Sequence, residues 1–427
     1  MTEKVDLDIN EGYFLENGWF FLGEKYANDF SQACGTFQPV TGHAEQWAET
    51  AELISDQCQR RGIPSIFAVG PAKWSVYRDF ASQIPEFRPG QTSLHDQIAS
   101  AASSKQLDFL DLRGVMREGR KIADTYSPRD SHWNGYGAYL AWREISSSFK
   151  RHFPNHDFFD PGKIESIETS DDWNEATSLT GVPGLNVFSY PVFSHPFKDF
   201  QMRRSSEGWS DQNSNSLLYV SYLPVDTRCQ NSTSGLKALI IRDSVGDLLS
   251  PYFNSTFKET YHRTHHVNVE GRPPNLSALL RDYAPDVVLF MFTERYLIYP
   301  FLDVEMARAC KTFEERQEKV AYWPAVPNKM KLEIDGWERP KHPVLIKLPT
   351  QSHSNSILKI SIQTEGTGAL LVSYTAGENV RHKHFVYRSG PNDFFADISG
   401  DVSGDHVWLL DQHNPSPTFL TAVSLSF

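Results

Sequence analysis

The chain has 427 residues, and its 40% hydrophobic and 22% charged residues are typical of a soluble protein with a packed core. The formal net charge of −12 and the lack of a Lys/Arg cluster argue against nucleic acid or an anionic membrane as the main partner, but they leave a glycan open. The longest apolar run, around residues 287–292, is long enough for a strand and too short to cross a bilayer.

The first residues of the chain and its cysteines indicate in which cellular compartment the protein is expected. Residues 1–6 lack the apolar core of a signal peptide, so we expect a cytoplasmic protein as the sequence stands, or a periplasmic one if a leader has been removed. The chain has four cysteines, Cys34, Cys58, Cys229 and Cys310. Their spacing disfavours a zinc or thioredoxin-like site and favours free thiols. A disulfide, for example between Cys34 and Cys229, would instead indicate an exported protein.

Helical and strand patterns alternate between residues 45 and 295. The predicted elements, in chain order, are a helix at 45–59, strands at 63–71 and 107–112, a helix at 135–149, a strand at 239–241, a helix near 247, a helix at 276–283 and a strand at 287–292. This alternation predicts an α/β fold with a parallel sheet and helices on both faces. Ligand chemistry in such sheets lies at the carboxyl ends of the strands, where Lys73, Ser244 and Arg295 fall.

Two regions depart from this alternation. Residues 160–235 are rich in Ser, Asn, Asp and Gly, which predicts a largely β or irregular insertion in a catalytic domain of residues 1–325. A charged helix at 305–320 and a Pro-rich linker at 323–327 then lead to short alternating strands, which predict a small β-sandwich over residues 330–427. Its aromatic residues either stack on sugar rings, as in a carbohydrate-binding module, or fill the core; they are Trp337, Tyr374, Tyr387, Phe394, Phe395 and Trp408.

A carboxylate precedes a histidine by two residues at Asp130-Ser131-His132, in a segment rich in turn-forming residues. Such a pair can form the base half of a serine hydrolase, because the carboxylate orients the imidazole and stabilises its protonated form. Ser244 is the candidate nucleophile, since it follows a buried strand and precedes a helical pattern. The alternative is structural, with Asp130 capping a helix and His132 stacked on Trp133.

Five short blocks, in this order and spacing, resemble the SGNH-hydrolase-like domain of the alginate O-acetyltransferase family. They are 18–22, Gly62-Ile63-Pro64 through Pro71-Ala72-Lys73, Leu110-Asp111-Leu112, Tyr126 through Trp133 with Gly137-Ala138, and Arg242-Asp243-Ser244 followed by Glu294-Arg295. The order of Asp130 and His132 before Ser244 is the permuted arrangement of that family. The resemblance also implies a carbohydrate-binding β-domain after the catalytic domain, as in some members.

The resemblance implies an acyltransferase in which Ser244, His132 and Asp130 transfer an acetyl group to a bacterial capsule or exopolysaccharide. No bound cofactor is expected, and the acetyl donor is either acetyl-CoA or a membrane acyl-carrier partner. Two other functions remain open from the sequence: a carbohydrate acetyl esterase with the same acyl-enzyme, and a non-catalytic glycan-binding scaffold.

Weaker candidates surround this motif. Arg295 is predicted either to pair with Glu294 or to bind substrate, and Lys73 and Tyr252 are candidates for substrate contact. Trp133 either stacks on a sugar or packs the loop. No metal site is predicted, because the histidine tract around 262–266 lacks a carboxylate at helical spacing.

Overall fold

The computed structural model describes residues 11–15, 17–84, 87, 90–171, 174–204, 207–265, 274–299, 304–315, 321–322, 330–332, 344–347, 357–364, 366–376, 379–388, 390–398, 402–412 and 418–426. The chain forms two compact units, one of Met1–Gly271 with Pro285–Phe301 and the other of Arg272–Ala284 with Leu302–Phe427. No helix in these described ranges is long and apolar enough to cross a membrane. The four cysteines, all among the described residues, are buried and form no disulfide.

The first unit alternates strands and helices. Its strands are β1 (Gly12–Phe14), β2 (Phe20–Leu22), β3 (Ser65–Gly70), β4 (Phe109–Asp111), β5 (Ile164–Asp171), β6 (Val187–Phe193), β7 (Phe200–Arg204), β8 (Ser210–Gln212), β9 (Val225–Arg228), β10 (Lys237–Arg242), β11 (Glu259–Thr264) and β12 (Val287–Thr293). Its helices are α1 (Asp29–Cys34), α2 (His43–Gln59), α3 (Lys73–Val76), α4 (Arg78–Ala81), α5 (Leu94–Ser104), α6 (Arg113–Gly119), α7 (Gly135–His152), α8 (Glu175–Thr180) and α9 (Ser250–Thr256). Three 3₁₀ turns lie at Val220–Tyr222, Ser244–Leu249 and Glu294–Ile298.

The central sheet has the strand order β4-β3-β12-β10-β11-β9-β7-β8. Five neighbouring strands of this sheet, β4, β3, β12, β10 and β11, run parallel, as predicted, which confirms the α/β class. The expectation of a parallel sheet is too simple, because β9, β7 and β8 continue it in antiparallel pairing. These three strands come from residues 160–235, so the predicted insertion extends the sheet that carries the site.

The middle strands of this sheet follow directly from their sequences. In β10 and β12 the apolar residues are buried on both faces, as expected of a parallel strand covered by helices on each side. Strand β11 lies beside β10, yet it has no apolar run, so the sequence did not predict it. In this strand the buried Thr260 Oγ1 and His262 Nε2 lie 2.9 Å apart and form a hydrogen bond. Polar side chains can occupy a core strand when their hydrogen-bonding groups are paired in this way.

A closed loop precedes α7. Tyr126 and Trp133 form an antiparallel bridge, and the Asn134 backbone N–H donates to the Thr125 carbonyl at 3.0 Å. The Asn134 side chain then accepts from the Gly137 N–H at 3.0 Å and caps the helix. A Cβ on Gly137 would lie 2.3 Å from the Thr125 oxygen, so only glycine allows this close approach. The loop of residues 127–132 is thereby held at the start of α7.

The second unit contains two antiparallel sheets and two helices. Its described elements are α10 (Leu276–Tyr283), α11 (Val304–Glu315), β13 (Ala321–Tyr322), β14 (Met330–Leu332), β15 (Val344–Lys347), β16 (Ile357–Thr364), β17 (Gly368–Ala376), β18 (Asn379–Tyr387), β19 (Gly390–Asp397), β20 (Val402–Gln412) and β21 (Thr418–Ser426). One sheet has the order β13-β21-β16-β19 with β14 also on β21, and the other has the order β15-β20-β17-β18. Side chains of both sheets share one core, as in the predicted β-sandwich.

The second unit differs in extent from the predicted domain of residues 330–427. The Asn275 side chain, at the start of α10, donates to the Asp393 carbonyl at 2.6 Å, and Phe313 of α11 packs on Phe395 with ring centroids 5.5 Å apart. Both helices therefore belong with strand β19, and the predicted boundary at 325–330 lies inside this unit. The helix pattern at 305–320 and the strand patterns each indicated their own elements, but the sequence did not show which helices pack on which sheet.

The aromatic residues of the sandwich lie inside it where they are described. Tyr374, Tyr387, Phe394 and Phe395 are all at least 95% buried. They fill core clusters, which is one of the two alternatives that the sequence left open, and Tyr374 and Phe395 also line cavities of this unit. Trp337 and the side chain of Trp408 lie outside the described residues.

Candidate active site

The structure brings Asp130, His132 and Ser244 into one hydrogen-bonded chain. Ser244 Oγ lies 2.8 Å from His132 Nε2, and His132 Nδ1 lies 2.8 Å from Asp130 Oδ1. The same Asp130 oxygen accepts from the His132 backbone N–H at 2.8 Å, which fixes the carboxylate against the ring. A hydroxyl, an imidazole and a carboxylate in this order can pass the serine proton to the histidine.

Asp243 fixes the turn that presents Ser244 at the end of β10. Its carboxylate accepts from the Val245 N–H at 2.9 Å, the Thr293 N–H at 2.7 Å and the Thr293 hydroxyl at 2.9 Å. Burial would raise the pKa of Asp243, but the nearby His265 and these backbone donors hold it well below its usual range. An ionised Asp243 thus ties the end of β10 to the end of β12 directly beneath the serine.

Arg242 supports the same turn from the interior of the first unit. It is fully buried, and its guanidinium donates to the Asp243 carbonyl at 3.0 Å, to the Asp247 carboxylate and to the Leu218 carbonyl. A Cβ on Gly246 would lie 2.3 Å from Arg242 Cδ, so glycine is needed where the turn crosses the arginine stem. Arg242 therefore has a structural role in holding the Ser244 turn.

Lys73 lies behind the loop that carries Asp130. Its side chain is buried, and Nζ lies 2.8 Å from the Phe20 carbonyl, 2.6 Å from that of Ser127, 2.9 Å from that of Pro128 and 3.0 Å from that of Asp130. Burial lowers the pKa of Lys73 to about 7, while Asp130 is the strongest of the carboxylates that oppose this shift. The predicted substrate contact is not what these bonds show: Lys73 holds the loop in place.

Arg295 and Glu294 have different partners in the structure, although the sequence offered an ion pair between them as one alternative. The Glu294 carboxylate accepts from the Ala72 N–H and the Ser75 hydroxyl, each at 2.8 Å, and so fastens the start of α3. Arg295 is 6% exposed, its guanidinium lies 4.9 Å from the centroid of the Tyr296 ring, and its charge acts on His132. These two neighbours therefore have separate contacts in place of the ion pair that the sequence offered as one alternative: Glu294 bonds to the start of α3, and Arg295 lies over the Tyr296 ring.

The two remaining aromatic candidates are core residues. Tyr252 is 3% exposed and packs on Trp142 and Phe197 at centroid distances of 5.5 and 4.8 Å. Trp133 is 2% exposed, and a Cβ on Gly70 would lie 3.2 Å from its ring. Neither side chain is placed to touch a substrate, so Tyr252 is corrected to a packing residue and Trp133 packs the loop.

The electrostatic surroundings favour a protonated imidazole. Burial alone would lower the pKa of His132, but the Asp130 carboxylate, their hydrogen bond and the nearby Glu175 outweigh burial and raise the pKa to about 9, against the opposing charge of Arg295. The side chain of His132 is 31% exposed, so solvent reaches this site. The positive charge that a histidine gains when it accepts the serine proton is therefore stabilised in advance.

The sequence did not indicate Glu175, which comes from the region 160–235. One of its carboxylate oxygens accepts from the Ser131 N–H at 2.6 Å. A carboxylate oxygen of Asp130, a ring nitrogen of His132 and a carboxylate oxygen of Glu175 all lie within 4.8 Å of one another. An acidic residue at the start of a six-residue helix carries no sequence signal for a site 43 residues earlier in the chain.

Comparison with known families gives a match over part of the chain. The model of the SGNH hydrolase-like domain of the acetyltransferase AlgX matches residues 15–176, which include Asp130 and His132. This match confirms the resemblance predicted from the sequence. No curated protein sequence matches the chain.

Solved structures show the same fold at low sequence identity. PatB1 of Bacillus cereus is 13% identical with a TM-score of 0.51, over 69% of this chain and 99% of that chain. A PatB1 structure with a sulfonyl adduct is 15% identical with a TM-score of 0.51, over 69% of this chain and 100% of that chain. AlgX of Pseudomonas aeruginosa is 10% identical with a TM-score of 0.54, over 98% of this chain and 95% of that chain.

Proposed function

We propose, from the match of residues 15–176 to the model of the SGNH hydrolase-like domain of the acetyltransferase AlgX, that this protein acetylates hydroxyls of a bacterial capsule or exopolysaccharide. The observation that carries the proposal is the chain of hydrogen bonds from Ser244 through His132 to Asp130. It supplies a nucleophile, a base and an orienting carboxylate at the carboxyl end of a parallel strand, where such folds bind ligands.

In the proposed mechanism, His132 Nε2 takes the Ser244 proton while Oγ attacks the acetyl carbonyl of the donor. The tetrahedral intermediate collapses, the donor's leaving group takes the proton from His132, and an acetyl ester remains on Ser244. A sugar hydroxyl then gives its proton to His132 and attacks the ester carbonyl. When this second intermediate collapses, His132 returns the proton to Ser244 Oγ and the acetylated glycan is released. Asp130 holds the imidazole tautomer throughout.

The oxyanion that forms in both steps needs hydrogen-bond donors. We propose that the Ser244 backbone N–H is one of them, because the chain turns from an extended Asp243 into a 3₁₀ segment at this residue.

The acetyl donor is linked to the compartment: acetyl-CoA suits a cytoplasmic enzyme, and a membrane acyltransferase partner suits a periplasmic one.

A carbohydrate acetyl esterase is the second candidate, and the exposure of His132 favours it, because water can reach the acyl-enzyme. Incubation with an aryl acetate and defined glycans separates the two functions. Acetylated glycan in the mass spectrum supports the transferase, whereas release of acetate at a rate that glycan does not change supports the esterase. A protein that does neither is a binding scaffold.

The rate of acetylation should depend on pH through His132. Only the neutral imidazole can accept the Ser244 proton, so a pKa of about 9 means that the rate rises with pH and levels off only above about 9. The burst of phenol released from an aryl acetate, measured by stopped flow between pH 6 and 10, tests this expectation. Circular dichroism at each pH controls for unfolding. A rate that is already level at pH 7 contradicts it.

We also propose a glycan-binding groove in the second unit. A cavity of about 510 Å³ lies between α11 and strands β18 and β19. An adjoining cavity of about 480 Å³ is lined by Arg381, His382 and Lys383. The basic side chains along both cavities are Arg308, Arg381 and Lys383, His382 and His384 lie beside them, and Glu305 and Asp397 also line the cavities. Such a row of donors suits the hydroxyls and acidic groups of a polysaccharide.

Replacing both Arg381 and Lys383 by alanine should lower the use of a long polysaccharide acceptor severalfold and leave aryl acetate turnover unchanged. The reason is that contacts between the acceptor and the second unit raise the local acceptor concentration but take no part in acyl-enzyme formation on Ser244. Initial rates with both substrates measure this, and Lys121→Ala, at an exposed lysine of the first unit, is the matched control. An equal loss on both substrates would assign the residues to stability instead.

A further inference from the structure

The loop that carries Asp130 and His132 is fastened on one side by residues 174–186. Arg129 and Ser131, the neighbours of Asp130 on either side, both hydrogen-bond to this segment. The Arg129 backbone N–H donates to Asn186 Oδ1 at 2.9 Å, and the Arg129 carbonyl accepts from the Ala176 N–H at 3.0 Å. The Arg129 guanidinium donates to the Val182 carbonyl at 2.6 Å. Lys73 binds the loop carbonyls from the other side, so the loop lies between two anchors.

Glu175 is the charged member of the segment. Its bond to the Ser131 N–H, 2.6 Å long, places the carboxylate at the middle residue of Asp130-Ser131-His132. A carboxylate oxygen of Glu175 lies within 4.8 Å of both a ring nitrogen of His132 and an oxygen of Asp130. At that distance an opposite charge favours the protonated imidazole, and solvent screens it only in part.

We infer that Glu175 is a positioning residue of the catalytic base: it anchors the loop through Ser131 and, as a second carboxylate beside Asp130, stabilises the protonated form of His132. The inference rests on the proposed function in so far as His132 is the base. Residues 174–186 would then take part in catalysis, because Glu175 of this segment positions His132 and stabilises its protonated form.

The other charged groups near His132 divide in sign. Asp130 lies on the same loop, and Asp247 acts on the ring from the turn that bears Ser244. Arg295 opposes them, and Lys73 is directed at Asp130 from behind the loop. Arg295 disfavours the protonated imidazole and so acts against the Asp130 carboxylate. Glu175, on the side of the ring where the α8 segment lies, adds a second negative charge that favours the protonated form.

Two variants separate the charge of Glu175 from its hydrogen bond. Glu175→Gln keeps an oxygen that can accept from Ser131 and removes the charge, whereas Glu175→Ala removes both. For Glu175→Gln we expect the midpoint of the pH–rate profile for aryl acetate acetylation to fall by about one pH unit, because an opposite charge at 4–6 Å shifts a pKa by about one unit or more. The plateau rate should stay within about threefold of the wild type, since the Ser131 bond survives. Glu175→Ala should show the same shift and a plateau about tenfold lower, because the loop loses an anchor.

A titration that needs no turnover makes the result independent of the proposed function. The ¹³Cε1 signal of His132, identified by its loss in His132→Gln, is followed against pH in the full-length wild type and Glu175→Gln. Glu168→Gln is the control, because the carboxylate of this exposed glutamate of the same region accepts from the Ser166 and Tyr190 hydroxyls on strands β5 and β6. A lower His132 midpoint in Glu175→Gln alone supports the inference even if aryl acetates are not turned over. Equal midpoints in all three proteins overturn it, as does a shift in Glu168→Gln of the same size.

Discussion

Replacing Ser244 by alanine should abolish aryl acetate turnover, with a loss of at least about a thousandfold. The Oγ that lies 2.8 Å from His132 Nε2 is then missing, and a methyl group cannot form the acyl-enzyme. The turn itself should survive, because Asp243 holds it through Val245 and Thr293 rather than through the serine hydroxyl.

Steady-state rates with an aryl acetate, together with thermal melts of each protein, measure this effect. Ser147→Ala on the exposed face of α7 is the matched control and should retain full activity. Wild-type turnover by a folded Ser244→Ala variant would move the nucleophile to another residue.

Replacing His132 by alanine should be nearly as severe as Ser244→Ala, and the double variant should be no worse than either. Residues that act as one unit fail together rather than additively, because the serine without its base is a poor nucleophile. Asp130→Asn should be milder but still lose about a hundredfold or more, since the ring loses its orienting charge while Ser244 and His132 remain.

A double-mutant cycle on Ser244 and His132, measured on the same aryl acetate, tests the unit directly. If the effects of the two single variants multiply in the double variant, the two side chains act independently, in contradiction to their hydrogen bond. Aryl acetate turnover by Asp130→Asn at the wild-type rate would remove Asp130 from the unit.

The sequence predicted the parts of the fold that depend on local patterns. The helix at 276–283 and the strand at 287–292 match α10 and β12 closely, since each has a periodic or continuous apolar pattern. Strand β11 was missed because it has no apolar run: its buried Thr260 hydrogen-bonds to His262 on the same strand and to Thr227 of β9. The antiparallel edge formed by β7, β8 and β9 was missed because strand partners are set by tertiary packing.

The sequence placed the candidate site through Asp130, His132 and Ser244, whose order and spacing it shows directly. It did not assign the supporting residues, because their roles depend on which backbone groups come to face them. Lys73 lies at the carboxyl end of β3, yet it faces inward to carbonyls of the loop 127–130. Glu175 reaches that loop only because the region 160–235 folds back onto it, which no local pattern indicates.

The most direct test of the central claim is the site of covalent acetylation. The wild type and Ser244→Ala are incubated briefly with an aryl acetate at pH 9, quenched in acid and analysed as peptides by tandem mass spectrometry. We predict one acetyl group on Ser244 in the wild type and none at this position or elsewhere above background in the variant. An acetyl group on a different residue, or an equal adduct in Ser244→Ala, would contradict the account.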